Sequence, residues 1–373
     1  MKKNNRNPDD KLLFTPGPLT TTQTVKEQML SDLGSRDSTF INIIADIRTR
    51  LLRLGNVSKK LGYETVIIQG SGTYGIEAVI SSALPEGGHL LLIINGAYGE
   101  RMLKIANIHG IKTSIIRYPE NQIPIKNEIE SALQRDPSIT HLATVHCETT
   151  TGIINDVNAI GKIASKHNKT YIVDAMSSFG GIPLDIRETG IDFLISSSNK
   201  CIEGVPGFSF VIVKKSKLKQ TRNNARTLTL DLYDQWDVLE RTGQFRFTPP
   251  VQVIKAFLQA LIELDNEGGI SARAERYRKN FTILSQGMSE LGFEMYLSPE
   301  HAGYIITSFR YPRASWFDFD DFYKYLSDRY LVIYPGKLTK DYCFRIGNIG
   351  QLYPQDIKKL LKEIQKYKEI KKA

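Results

Sequence analysis

A lone lysine, Lys200, stands in the polar knot "SSSNKCIEGVPG" between the apolar runs "DFLISS" and "GFSFVIV". An amine where a buried strand gives out is a candidate nucleophile toward a carbonyl group. The ordinary alternative is a solvent-exposed loop lysine. Earlier in the chain Asp174 closes the run "TYIVD". A carboxylate there is expected to be half-buried and to need a cationic or N–H partner. A protonated heterocycle, an arginine or a capping role would each serve.

Three further knots fall between strand-like and helix-like segments. In "QGSGTYG", residues 69–75, Ser71, Gly72 and Thr73 offer backbone N–H groups and hydroxyls to an anion with several free oxygens; a plain tight turn is the alternative. Gly70, Gly72 and Gly75 also satisfy G-x-G-x-x-G. The next strand-like run, "HLLLIIN", ends in Asn95 and not in an acid that would hold a ribose, so a nicotinamide dinucleotide is disfavoured. In "NGAYGER" Tyr98 offers a flat ring to a planar ligand, or is simply a packed surface residue. In "HCETTTG" Glu148, Thr149 and the next two threonines suit a phenolic oxygen or ordinary turn chemistry. Together these knots form the set that pyridoxal 5'-phosphate requires: an amine, a carboxylate, a phosphate cradle, an aromatic ring and hydroxyls.

The elements that must position them alternate. "ETVIIQ" precedes helical "YGIEAVISSAL", "HLLLIIN" precedes "YGERMLKIANIHG", and "THLATVH" precedes "VNAIGKIASKHN". This alternation predicts an α/β fold with a mostly parallel, buried central sheet, and ligands beyond the carboxyl ends of its strands. Phe40, Ile43, Ile44, Ile47, Leu51 and Leu54 recur at helical spacing and stop at Gly55. Residues 1–20, with "FTPGPLT", read as an irregular arm, 21–265 as the large α/β domain, and 266–373 as a smaller α+β domain that opens on a linker and a long helix.

Composition narrows the classes. The 373 residues are 41% hydrophobic and 24% charged, as in an ordinary globular chain. The net charge of +9 is concentrated toward "MKKNNR" and "IKKLLKEIQKYKEIKKA", which predicts a solvated lysine face and no nucleic-acid partner. Three scattered cysteines, Cys147, Cys201 and Cys343, and six dispersed histidines predict a reducing compartment and no metal site. Cys201, beside the lysine, reads as a small packing residue. No run reaches the ~18 apolar residues of a membrane span, and a cytoplasmic protein is expected.

From "LLFTPGPLTTTQTVKEQML" through "QGSGTYGIEAV", "NGAYGERM", "HCETTTGIIND", "YIVDAMSSFGGIPLDI", "SSSNKCIEGVPGFSFVI", "FRFTPP" and "VIYPGK" to "CFRIGNIG", the chain resembles the class V aminotransferases of the fold type I pyridoxal-phosphate superfamily. The resemblance covers nearly the whole chain in order. It implies a fold type I transferase whose Lys200 carries the cofactor aldehyde and whose Asp174 faces the pyridine nitrogen. It assigns Ser71, Gly72 and Thr73 to the phosphate turn and Tyr98 to ring stacking. Thr149 falls near the phenolic oxygen, Met176 under the ring and Asn199 beside the phosphate. Thr248 matches a residue given across a homodimer interface to the partner's cofactor phosphate, and Arg345 the receiver of the substrate's anionic group. The implied activity moves the amino group of 2-aminoethylphosphonate to pyruvate; a sister activity with serine or alanine as donor and glyoxylate as acceptor, or with a related aminophosphonate, is the alternative. One stretch, "SDLGSRDSTF", lacks the tryptophan and the acidity of some members.

Overall fold

In the computed structural model, residues 6–7, 9–336 and 341–372 are described. Lys337 of the "VIYPGK" segment and residues 1–5 of the basic N-terminal run lie outside them. Seven strands form the central sheet: β1 (Tyr63–Gln69), β2 (His89–Ile94), β3 (Lys112–Arg117), β4 (His141–Val145), β5 (Thr170–Asp174), β6 (Phe193–Ser197) and β7 (Phe208–Lys214). Their spatial order is β1-β7-β6-β5-β4-β2-β3. The pairs β6–β5, β5–β4, β4–β2 and β2–β3 are parallel, and β7 runs antiparallel to both β1 and β6.

Apolar side chains on both faces explain why β2, β4, β5 and β6 are buried throughout. The β3 edge has only exposed and half-buried positions, and its sequence lacks the continuous apolar signal of its neighbours. The order reverses between β2 and β4, so a crevice opens at the carboxyl ends there, where ligands of such sheets bind.

Helix α1 (Ser38–Leu54) is capped by Asp37, whose side chain accepts from the Thr39 N–H at 2.7 Å. It buries Phe40, Ile44, Ile47 and Leu51 and ends at Gly55; Ile43 and Leu54 are half-buried. Helices α2 (Gly72–Ala83) and α3 (Ala97–Ile108) leave the ends of β1 and β2.

Helix α4 (Val251–Glu267) crosses the boundary read at 265/266. The stretch "DNEGG", read as a linker, is instead the end of α4, the single break Gly268 at φ 110°, and the first residue of α5 (Gly269–Glu290). A second apolar core is built from Leu284, Phe309, Phe322, Phe344, Ile357 and neighbours. It underlies the sheet β8 (Ile306–Arg310), β9 (Tyr334–Pro335) and β10 (Cys343–Gly347), in the order β8-β10-β9 and antiparallel throughout. Helix α6 (Pro354–Lys372) covers it.

The arm is less irregular than its proline content suggests. Leu12–Leu13 pair in parallel with Leu331–Val332, and the Gly347 N–H donates to Phe14 O at 2.9 Å. Among the described residues no helix is long and apolar enough to cross a membrane, and no three His, Cys, Asp or Glu side chains are grouped to hold a metal ion.

Candidate active site

The polar knots converge because parallel strands end on one rim. Asp174 is the last residue of β5, and its neighbour β6 ends at Ser197, so the turn 198–207 carries Lys200 into the same crevice. Ser71, Gly72, Thr73, Tyr98, Asp174, Met176, Asn199 and Lys200 line one cleft there, joined by Arg101. Neighbouring hydrogen bonds fix the rim: His146 N–H to Asp174 O at 2.8 Å, and Ala175 N–H to Ile195 O at 2.9 Å.

Asp174 is 4% exposed, deeper than the half-burial expected from its place in the sequence. Its carboxylate accepts from the Met176 N–H at 2.9 Å. Burial pushes its pKa up to about 6, against the Met176 N–H and the charges of Arg101 and Lys200. Lys200 Nζ donates to Pro16 O of the arm at 2.7 Å. Desolvation takes its pKa down to about 8, so a neutral amine is accessible near neutral pH. A Cβ on Gly17, itself at φ 123°, would stand 2.8 Å from Nζ, so the arm can close this tightly only with glycine there.

Three features fit pyridoxal 5'-phosphate. Ser71 starts α2 without a side-chain cap, leaving the free N–H groups of the first helical turn for an anion. A side chain at Gly72 would have to displace the end of the Met176 side chain, so the two residues pack closely at the cleft floor. Thr149 Oγ1 is buried with no hydrogen-bond partner among the described residues, a polar atom left to pair with a bound group such as a phenolic oxygen, although Thr149 is not among the residues lining the cleft.

Arg345 is 2% exposed. Its Nε donates to Pro335 O at 3.0 Å and its Nη1 to Thr149 O at 2.7 Å, while its guanidinium lies 4.9 Å from the centre of the Tyr334 ring. Two backbone carbonyls orient the fork, which is not the surface ion pair that an arginine often makes. Thr248 is exposed and lines a separate depression with Arg36 and Arg246; the structure does not bring it to the Lys200 cleft of its own chain.

Two contributors escaped sequence reasoning. Arg101 stacks 4.9 Å from the Tyr98 ring centre and donates to Thr73 Oγ1 at 3.1 Å, linking the aromatic to the anion turn. Its position one helical turn after Tyr98 was the available signal. Pro16 acts through a backbone carbonyl, which no residue type announces. Glu148, 0% exposed, accepts the N–H groups of Tyr98 at 3.2 Å and Gly99 at 2.8 Å, holding the start of α3. Cys201 Sγ donates to Ser177 O at 3.2 Å, and burial raises its thiol pKa to about 12.

The family model for class V aminotransferases matches residues 22–341. The chain belongs to this family. A 2-aminoethylphosphonate–pyruvate transaminase of Vibrio vulnificus (strain YJ016) is 51% identical over 95% of this class V chain and 97% of its own length. One from Bacillus cereus (strain ATCC 10987 / NRS 248) is 49% identical over 95% and 97%. The crystal structure of pyridoxamine-pyruvate aminotransferase from Mesorhizobium loti superposes with a TM-score of 0.88, covering 99% of this chain and 95% of that one. At 23% identity it establishes the class V fold alone.

Proposed function

We propose that this class V aminotransferase uses pyridoxal 5'-phosphate to move the amino group of 2-aminoethylphosphonate to pyruvate, giving phosphonoacetaldehyde and L-alanine. The observation that carries this reading is one cleft holding a desolvated Lys200, a buried Asp174 and the free helix start at Ser71–Thr73. Identity of about half the residues to transaminases named for these two substrates, over 95% of the chain, supports the substrate pair.

Lys200 Nζ would carry the cofactor aldehyde, with Ser71, Gly72, Thr73 and Asn199 at the phosphate, Tyr98 and Met176 on the ring faces, and Thr149 at the phenolic oxygen. When bound, the cofactor supplies a carbonyl that accepts an amino group and a cationic ring that takes up an electron pair. Asp174 would hold the ring nitrogen protonated; a charged partner would offset the burial that otherwise raises its own pKa. Lys200 Nζ, when not bonded to the cofactor, would take the proton from the donor's amine-bearing carbon. Arg345 receives phosphonate in one half-reaction and carboxylate in the other, its fork oriented by two backbone carbonyls and in hydrogen-bond contact with Tyr98.

We further propose a homodimer in which Thr248 serves the partner's phosphate turn. Exposed Tyr74, Leu228 and Phe247 support an apolar contact there, tied together by Gln69 Nε2 to Phe247 O at 3.0 Å and Arg246 Nη1 to Leu228 O at 3.0 Å. The division into an arm, a large domain and a small domain is likewise proposed, supported by the separation of the two largest apolar cores among the described residues.

Absorbance of the loaded protein before and after 2-aminoethylphosphonate, followed by a donor screen, tests the reading. The visible band should fall with this donor and return with pyruvate. A faster response to serine or alanine, with glyoxylate as acceptor, would replace it with the sister activity.

A further inference from the structure

Three residues after Lys200 the chain does something that its sequence does not advertise. Glu203 sits in left-handed backbone at φ 68°, a conformation that favours glycine, yet it is only 2% exposed. Its N–H donates to Lys200 O at 2.7 Å and closes the turn. Strain of this kind persists only where surrounding structure over-determines it.

The surroundings are a buried ionic cluster. One Glu203 oxygen accepts from Arg276 Nη2 at 2.8 Å and from the Tyr277 hydroxyl at 2.5 Å; the other accepts from Gln351 Nε2 at 2.5 Å. Arg273, 1% exposed, donates through Nη1 to the carbonyls of Cys201 at 2.9 Å and Ile202 at 3.1 Å, so α5 grips the turn directly. Glu267 pairs with Arg273 at 2.8 Å and Arg276 at 2.6 Å, and two carboxylates balance two guanidinium groups.

The same cluster reaches the opposite wall. Arg276 Nη1 donates to Gly350 O at 2.5 Å and Leu352 O at 3.2 Å. That loop follows β10, which carries Arg345. The turn bearing the amine and the strand bearing the guanidinium are thus bolted to one carboxylate.

We propose that Glu203 is a positioning residue that fixes the separation of Lys200 from Arg345 and so selects the chain length of the amino-anion substrate. The proposal rests on the roles given to these two residues above. A substrate whose amine-bearing carbon must meet Lys200 Nζ while its anion sits on Arg345 reads that separation as a gauge, and a misplacement of about 1 Å can cost ~10²-fold in rate.

The test compares wild type, Glu203→Gln and Arg276→Lys holoenzymes with 2-aminoethylphosphonate and 3-aminopropylphosphonate. Wild type should prefer the shorter donor in kcat/KM by ~10–200-fold, the usual worth of one methylene. Both variants should lose at least ~5-fold of that preference, mainly in kcat, while inhibition by ethylphosphonate, which needs Arg345 but no amine, stays within about twofold. Equal losses on both donors, leaving the ratio intact, would assign the cluster to stability alone and overturn the proposal. So would a wild type without preference. Should Glu203→Gln fail to fold, Arg276→Lys, which keeps the buried charge, reads the same ratio. A wild type that turns over neither donor removes the functional reading instead; the ratio is then taken on the donor found in the screen and its one-methylene homologue.

Discussion

Lys200 owes its reactivity to where its strand stops. Desolvation brings its pKa to about 8, so the neutral nucleophile accumulates as pH rises through that value. Apoprotein mixed with pyridoxal 5'-phosphate should therefore gain its visible band at a rate that climbs through about pH 8 and levels above it. A climb centred near ~10.4, the value of an unperturbed lysine, would show that the amine is solvated. Lys200 and Asp174 were legible as a pair because Asp174 closes one apolar run and Lys200 follows shortly after another, and such runs become neighbours in a parallel sheet. The Pro16 carbonyl on Nζ was not legible, since it comes from tertiary placement of backbone. Arg101 was quoted within its knot but not weighed, although its i,i+3 spacing from Tyr98 on one helix was there to be read.

At the scale of elements, the start of α3 depends on a carboxyl group with no exposure. Glu148 accepts two N–H bonds that orient Tyr98, and burial raises its pKa to about 8 against those bonds. A carboxyl group whose folded pKa exceeds its unfolded value stabilises fully below the unfolded value, and that contribution is lost as pH rises through the folded one. Asp174 behaves likewise with a folded value of about 6. Above pH 6 the remaining decline in apoprotein stability should therefore belong mainly to Glu148. Thermal unfolding of Glu148→Gln between pH 6 and 8 should show a flatter midpoint than wild type; parallel curves would refute the assignment. The buried strands were readable from apolar runs, whereas β3 was missed because this edge strand, "KTSIIR", is half-buried at most and mostly polar, and so resembles loop. The helix break at Gly268 was misplaced because "DNE" is polar on the exposed side of α4, and polarity alone does not separate a solvated helix face from a linker.

At the scale of the whole molecule, the proposed homodimer is testable at exposed Thr248. Mixing Lys200→Ala with Thr248→Glu protomers decides whether it acts across an interface. If it does, each heterodimer regains one site with both residues intact, and random reassortment restores about a quarter of wild-type activity. If Thr248 serves its own chain, the mixture stays as inactive as its components. Subunit exchange followed by a transamination assay reads the outcome. The separate apolar cores were foreshadowed by the change of texture after α4, but the contact between the beginning and the end of the chain had no local signature. That contact sets an order of events. Leu12 and Leu13 find their strand partner only at Leu331 and Val332, so the arm has no seat until about 300 later residues exist. During synthesis the large sheet is complete well before then. The nascent lysine therefore lacks a pinned arm above it until the last portion of the polypeptide emerges.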